Sequence, residues 1–193
     1  MARPRTTEPR QPDDARAQRS IEALKSALLT LLEQKPIEQI TIKDITDRAG
    51  LSYPTFFRRF ASKEELFEHI AREEVRALLR IGQAAMTTRG ARAGAQLCGY
   101  VQSRRKLWSA LLTGGASSAM RSEFMRVARE IAESGPRMNP WIPLDLAVPF
   151  VTSGIFEILA WWMRRPEDYP VEHVVEMFDA LIVDVTARPR KFV

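Results

Sequence analysis

Apolar residues recur along this chain at the spacing of a helix, with no useful run at the every-second-residue spacing of a half-buried strand. Ile21, Leu24, Leu28, Leu31 and Leu32 form one such stripe, and Pro36 ends it. Two short helices are expected next, Thr41 to Ala49 and Ser52 to Phe60, with Gly50 between them. A longer helix should start at Ser62 and run to about Gly82. Turn-rich segments at 87–90, 113–118, 134–143 and 164–170 then separate helical stretches at roughly 91–112, 119–133, 145–163 and 171–187. The expected class is all-α, with about nine helices. Residues 1–14, rich in Pro, Arg and Asp and without periodicity, read as a disordered arm. Residues 15–66 read as a small N-terminal domain and 67–193 as a helical C-terminal domain, the helix from Ser62 running on from one into the other.

The stretch from Thr41 to Leu66 reads as three capped helices in close succession. Thr41 can accept a bond from the orphan amide of Asp44, and Ile42, Ile45 and Ala49 supply an inner face. Gly50 suits the C-terminal position that needs positive φ. Ser52 is placed to cap the second helix, where Pro54 falls in the first turn and removes no intrahelical bond. Ser62 with Glu65 makes a capping box for the third. Phe56 and Phe60 share one side of the second helix and should be buried, which turns Tyr53, Thr55, Arg58 and Arg59 elsewhere. A short helix anchored by aromatics that projects hydroxyl and guanidinium groups is what a major-groove reader requires, so residues of about 40–59 are expected to be a helix-turn-helix. Lys63 adds a cation beside free first-turn amides, a natural phosphate clamp.

Composition changes this picture little. The formal net charge is +5, yet residues 1–70 hold 12 Lys/Arg against 11 Asp/Glu, so the basic excess lies outside the segment assigned to DNA. The case for nucleic acid therefore rests on the pattern of residues. A lone Cys98 rules out a disulfide framework and any multi-thiolate zinc site, and suits a cytoplasmic protein. His69 and His173 lack partners at metal-ligand spacing, and no glycine-rich phosphate loop is present, so no enzyme, metal or cofactor is expected. The longest apolar run, Leu146 to Met163, carries Pro149, Glu157 and two hydroxyl residues. It reads as a buried helix, not a membrane span.

Thr41, Asp44, Ile45, Ala49, Gly50, Ser52, Thr55, Phe60, Ser62, Lys63, Glu64 and Leu66 fall on the pattern T-x-x-D-I-A-x-x-A-G-V-S-x-x-T-L-Y-x-x-F-x-S-K-E-x-L, with Leu51 and Phe56 as conservative variants. The stretch from about 18 to 70 thus resembles the N-terminal domain of the tetracycline-repressor (TetR) family. More loosely, Ser153-Gly154-Ile155-Phe156 and Trp161-Trp162 are similar to that family's dimerisation region. The resemblance implies a homodimer on a palindromic double-stranded operator, with a C-terminal domain that takes a small-molecule effector. It implies phosphate contacts from Thr41 and Lys63. Lys43, Tyr53, Pro54 and Thr55 would lie nearest the base edges, with Ser52, Arg58 and Arg59 close by. Phe57 stands where the family usually has a tyrosine that reaches a phosphate, and Thr46 replaces a small alanine; its hydroxyl can bond the preceding turn. The rival reading is a helical enzyme or adaptor that has kept the head without its DNA recognition.

In the C-terminal half, Trp108, Met120, Phe124, Trp141, Phe150 and Trp161 are the candidate lining of an effector cavity, and Glu157 its polar anchor. Ser153, Gly154, Trp162, Val174, Phe178, Leu181, Ile182 and Val185 are the candidate dimer contacts, because two helices this apolar need partners. The Arg104-Arg105-Lys106 cluster reads as a solvated helix face.

Overall fold

A computed structural model describes residues 12–87, 93–114, 117–134 and 142–186, and no strand occurs among them. The chain divides into two compact units, one ending at Leu66 and the other starting at Phe67.

The first unit holds α1 (Pro12–Leu32), a single 3-10 turn (Ile37–Gln39), α2 (Ile42–Ala49), α3 (Tyr53–Phe57) and the first turn of α4 (Lys63–Thr87). Residues 12–14, expected in the arm, already belong to α1; the rest of the arm lies outside the described residues. Leu24, Ala27, Leu28, Leu31 and Leu32 make the buried stripe of α1, which packs on α2. Ile40, Ile45, Phe56, Phe60 and Leu66 complete this core. Fully burying a side chain the size of Phe56 stabilises by roughly 1.5–3 kcal/mol, a large share for a head this small. Thr46 is buried as well, and its hydroxyl donates to the carbonyls of Ile42 and Lys43 at 3.1 and 3.0 Å. That local satisfaction is what lets a polar residue stand where the pattern has alanine.

The second unit holds the rest of α4, then α5 (Ala93–Gln102), α6 (Arg105–Thr113), α7 (Ser117–Ser134), α8 (Leu144–Met163) and α9 (Val171–Phe178). α9 passes through a π-helical turn (Asp179–Val183) into a last helical turn (Asp184–Thr186). α6 and α7 pack on α8, α5 packs on α9, and α8 meets α9. The stretch expected as one helix over 91–112 is broken at Ser103-Arg104, so α5 and α6 are separate. Arg105 exploits the break. Its Nη2 donates to the carbonyls of Trp162, Arg165 and Pro166, closing the C-terminal end of α8, while the guanidinium lies over the Trp162 ring. This residue is a clamp and not part of a solvated face.

α8 is the one helix among the described residues long and apolar enough to cross a membrane. One face of it, including Val148, Thr152, Ile155, Phe156 and Leu159, is buried in the helical core. Four of the expected dimer contacts also belong to that core. Trp162, Val174, Phe178 and Ile182 are buried within the chain itself, with exposures of 0 to 2 %, and have no surface left for a second subunit. Gly154 is likewise an intrachain contact: a Cβ there would meet Cδ1 of Ile182 at 2.5 Å. Of the expected set, Leu181 is exposed, and Ser153 and Val185 are half-buried.

Candidate nucleic-acid interface

α2 opens with a reciprocal cap. The Asp44 amide donates to Thr41 Oγ1 at 3.1 Å, and the Thr41 amide donates to the Asp44 carboxylate at 2.8 Å. Lys35 Nζ also reaches that carboxylate at 2.8 Å. The Lys35 bond above all, then the backbone and hydroxyl of Thr41, hold the Asp44 carboxyl well below the usual carboxylate range. Lys35 was not singled out from sequence; it lies nine residues before Asp44, beyond any helical spacing. At the far end of α2, Gly50 sits at φ 65 and ψ 30, the left-handed geometry that lets the chain turn sharply into α3.

α3 is short, and Phe56 is its buried anchor. The opposite side carries Tyr53 and Phe57, 52 % and 47 % exposed, packed edge to face with ring centroids 5.1 Å apart. Two large aromatic rings side by side in water are unusual for a solvated helix and suit a surface that meets a partner. Pro54 and Arg58 are exposed beside them, and Thr55 is half-buried. Ser52 does not cap α3 as the sequence suggests. Its Oγ lies 2.8 Å from Thr55 Oγ1 instead, and Arg58 Nη2 donates to that same Thr55 oxygen at 2.8 Å. Arg59 is half-buried, its Nε shielded without a hydrogen-bond acceptor among the described residues. The two arginines that sequence treats alike are therefore different: Arg58 is on the open side, and Arg59 is partly withdrawn.

Lys43 is exposed on α2 and pairs with Asp47 one turn on, which raises its pKa, the Asp47 hydrogen bond first and its charge second. Lys63 departs from its expected role. Its Nζ donates to the carbonyls of Ile37 and Ile40 at 2.8 and 2.9 Å, bracing the 3-10 turn. An ammonium has three donors, so one remains for any phosphate. Behind it, Ser62 Oγ accepts from the Glu65 amide at 3.2 Å, and the Glu65 carboxylate accepts from the Ala61 amide. Thr41, Lys43, Ser52, Tyr53, Pro54, Thr55, Phe57 and Arg58 thus lie on α2 and α3 or at their caps, with Arg59 and Lys63 more deeply engaged.

The candidate effector residues do not gather in one place. Trp108 on α6 and Met120 and Phe124 on α7 are fully buried, and Phe124 meets Phe156 edge-on at 6.3 Å. Phe150 is exposed on α8, and Trp161 is half-buried against Tyr169 with Arg165 over its ring. Glu157 is exposed and takes an ion pair from Arg121 of α7, so it is a surface carboxylate and not an anchor in an apolar cavity. Trp141 lies outside the described residues.

Residues 25–70 match the family of bacterial regulatory proteins described as the tetR family. The fold is similar to that of a TetR transcriptional regulator from Streptococcus agalactiae 2603V, at 19 % identity over 91 % of this chain and 98 % of that one, with a TM-score of 0.56. It is similar to AlkX, a TetR family repressor from Dietzia sp. strain DQ12-45-1b, at 19 % identity, 83 % and 91 % coverage and a TM-score of 0.59. It is also similar to the fatty acid degradation regulator FadR from Bacillus halodurans, at 13 % identity, 89 % and 96 % coverage and a TM-score of 0.54. At such identities these likenesses concern fold alone. No curated protein matches the sequence. The match over the first unit, with the all-α architecture, supports a DNA-binding transcriptional regulator whose N-terminal domain is of the tetR type.

Proposed function

We propose that the protein acts as a homodimeric repressor that reads a palindromic operator with two copies of α3 and is released by a small-molecule effector. The observation that carries the reading head is the open side of α3: exposed Tyr53, Pro54, Phe57 and Arg58, held outward by buried Phe56 behind a left-handed turn at Gly50. Such a helix presents donors and apolar edges of the kind that base pairs offer partners for in the major groove. Tyr53, Pro54 and Arg58 face base edges in this reading, with Thr55 beside them. Thr41, Lys43, Ser52 and the ring of Phe57 lie at the phosphate backbone, and the one remaining donor of Lys63 adds at most a single contact.

A single short helix reads one half-site, so specific binding calls for two heads. The exposed apolar residues Leu146 and Phe150 on α8 and Leu181 in the π-helical turn after α9 supply a face for a second copy, in place of the buried residues first expected there. For the effector, Trp108, Met120 and Phe124 are the apolar residues retained, an interior suited to an apolar or amphipathic compound. Release would follow if that compound binds better to a conformation whose two heads are wrongly spaced. A head that reads DNA works where the DNA is, in the cytoplasm.

The test is a gel-shift titration of the full chain with the duplex upstream of its own gene against a duplex of shuffled sequence. Selective retardation of the former supports the reading; equal or no retardation contradicts it.

A further inference from the structure

The exposed end of α3 contains a hydrogen-bonded chain of three side chains. Arg58 Nη2 lies 2.8 Å from Thr55 Oγ1, which lies 2.8 Å from Ser52 Oγ. A guanidinium can only donate, so Thr55 Oγ1 accepts from Arg58. The Thr55 hydroxyl still holds one proton, and Ser52 Oγ is an acceptor at bonding distance. Donation from Thr55 to Ser52 gives every group a partner and leaves the Ser52 proton pointing onward. Chains of this kind polarise each link.

The direction of Arg58 matters. It follows α3 at the C-terminal cap, with φ −72 and ψ −14, and the bond to Thr55 three residues earlier folds its guanidinium back along the helix. That holds the fork beside Thr55 and turns it back from the helix end. Arginine carries about 2 kcal/mol of side-chain rotamer entropy, and a fork already held in one direction loses less on docking.

We propose that Thr55 is a positioning residue: its hydroxyl aims Arg58 at a guanine in the operator half-site, and it makes no base contact of its own. Guanine is the partner because its O6 and N7 match the two parallel donors of a guanidinium. The proposal rests on the reading of α3 as the DNA-reading helix.

The probe is the duplex that the full-length wild-type protein enriches from a random library, with a copy in which one half-site G·C pair is replaced by A·T. Arg58→Ala should reduce the preference between the two, read as the ratio of their affinities, by about tenfold. Thr55→Val, close in shape and lacking the hydroxyl, should lose the same preference, and Thr55→Ser should restore it. The Thr55→Val/Arg58→Ala pair should be no worse than Arg58→Ala alone, because both remove one interaction. Thermal melts of each variant report whether the head is folded. Thr55→Val that weakens all duplexes alike, or losses that add in the double variant, would overturn the proposal and make Thr55 a direct contact. A wild-type protein that enriches no sequence would instead overturn the DNA-reading assignment beneath it.

Discussion

A Cβ placed on Gly154 of α8 would lie 2.5 Å from Cδ1 of Ile182 in the π-helical turn that follows α9. Both residues were candidates for the contact between subunits, yet they meet inside one chain. Gly154→Ala should therefore push the end of the Ile182 side chain off its rotamer, at a cost of about 0.5–1.5 kcal/mol, offset by the roughly 1 kcal/mol that alanine gains over glycine in a helix. Ile182→Val removes the clashing atom and by itself costs about 0.5–1.5 kcal/mol. Urea unfolding of the four proteins should show the alanine near neutral in the wild-type background and stabilising in the valine background. Simple additivity would mean that the helices are held apart by something else.

The exposed apolar residues of α8 and of the π-helical turn give a different expectation. Phe150→Glu and Leu181→Glu change exposed side chains and should yield folded monomers by sedimentation. Phe178→Glu buries a charge in a fully enclosed position and should unfold the unit instead. If Phe150→Glu and Leu181→Glu remain dimeric, the interface is elsewhere.

Lys63 separates bracing from phosphate contact. With two donors on the carbonyls of Ile37 and Ile40, Lys63→Met should lower the stability of the head, by roughly 1–3 kcal/mol for two lost charge-assisted bonds. The salt dependence of DNA binding should change by less than the slope of about one expected for a full phosphate contact. An unchanged melting curve with a full unit of slope would restore the simple clamp.

Asp44 makes the head sensitive to acid. Its folded pKa is lowered, first by Lys35 and then by Thr41, so its stabilisation is fully present above the unfolded value of about 3.9. It is lost as pH falls below that value and through the depressed folded one. Asp44→Asn should destabilise at neutral pH and narrow its gap to wild type as the pH is lowered below 4, read from thermal melts across that range.

The head was legible in the sequence because its signals are local. Thr41 and Gly50 are punctuation whose meaning depends only on nearby backbone, and Phe56 and Phe60 share a face by spacing alone. The break at Ser103-Arg104 carries no proline or glycine. Its signal is a change of phase: Leu97, Cys98 and Val101 would be continued inward by Arg104 and Arg105, and the apolar pattern resumes only at Leu107 and Trp108. The residues assigned to the dimer failed for a different reason. An apolar stripe says that Val174, Phe178 and Ile182 must be covered, and it cannot say whether the cover comes from the same chain. Glu157 misled similarly, since its partner Arg121 is 36 residues away.

The measurement that tests the central claim most directly is a footprint of the full-length protein on the duplex it enriches from a random library. The account predicts a two-fold symmetric footprint, with half-sites separated by about 10 base pairs or a multiple of that. Substituting Tyr53 or Arg58 should weaken both halves equally. Protection of a single asymmetric site, or no enrichment at all, would contradict it.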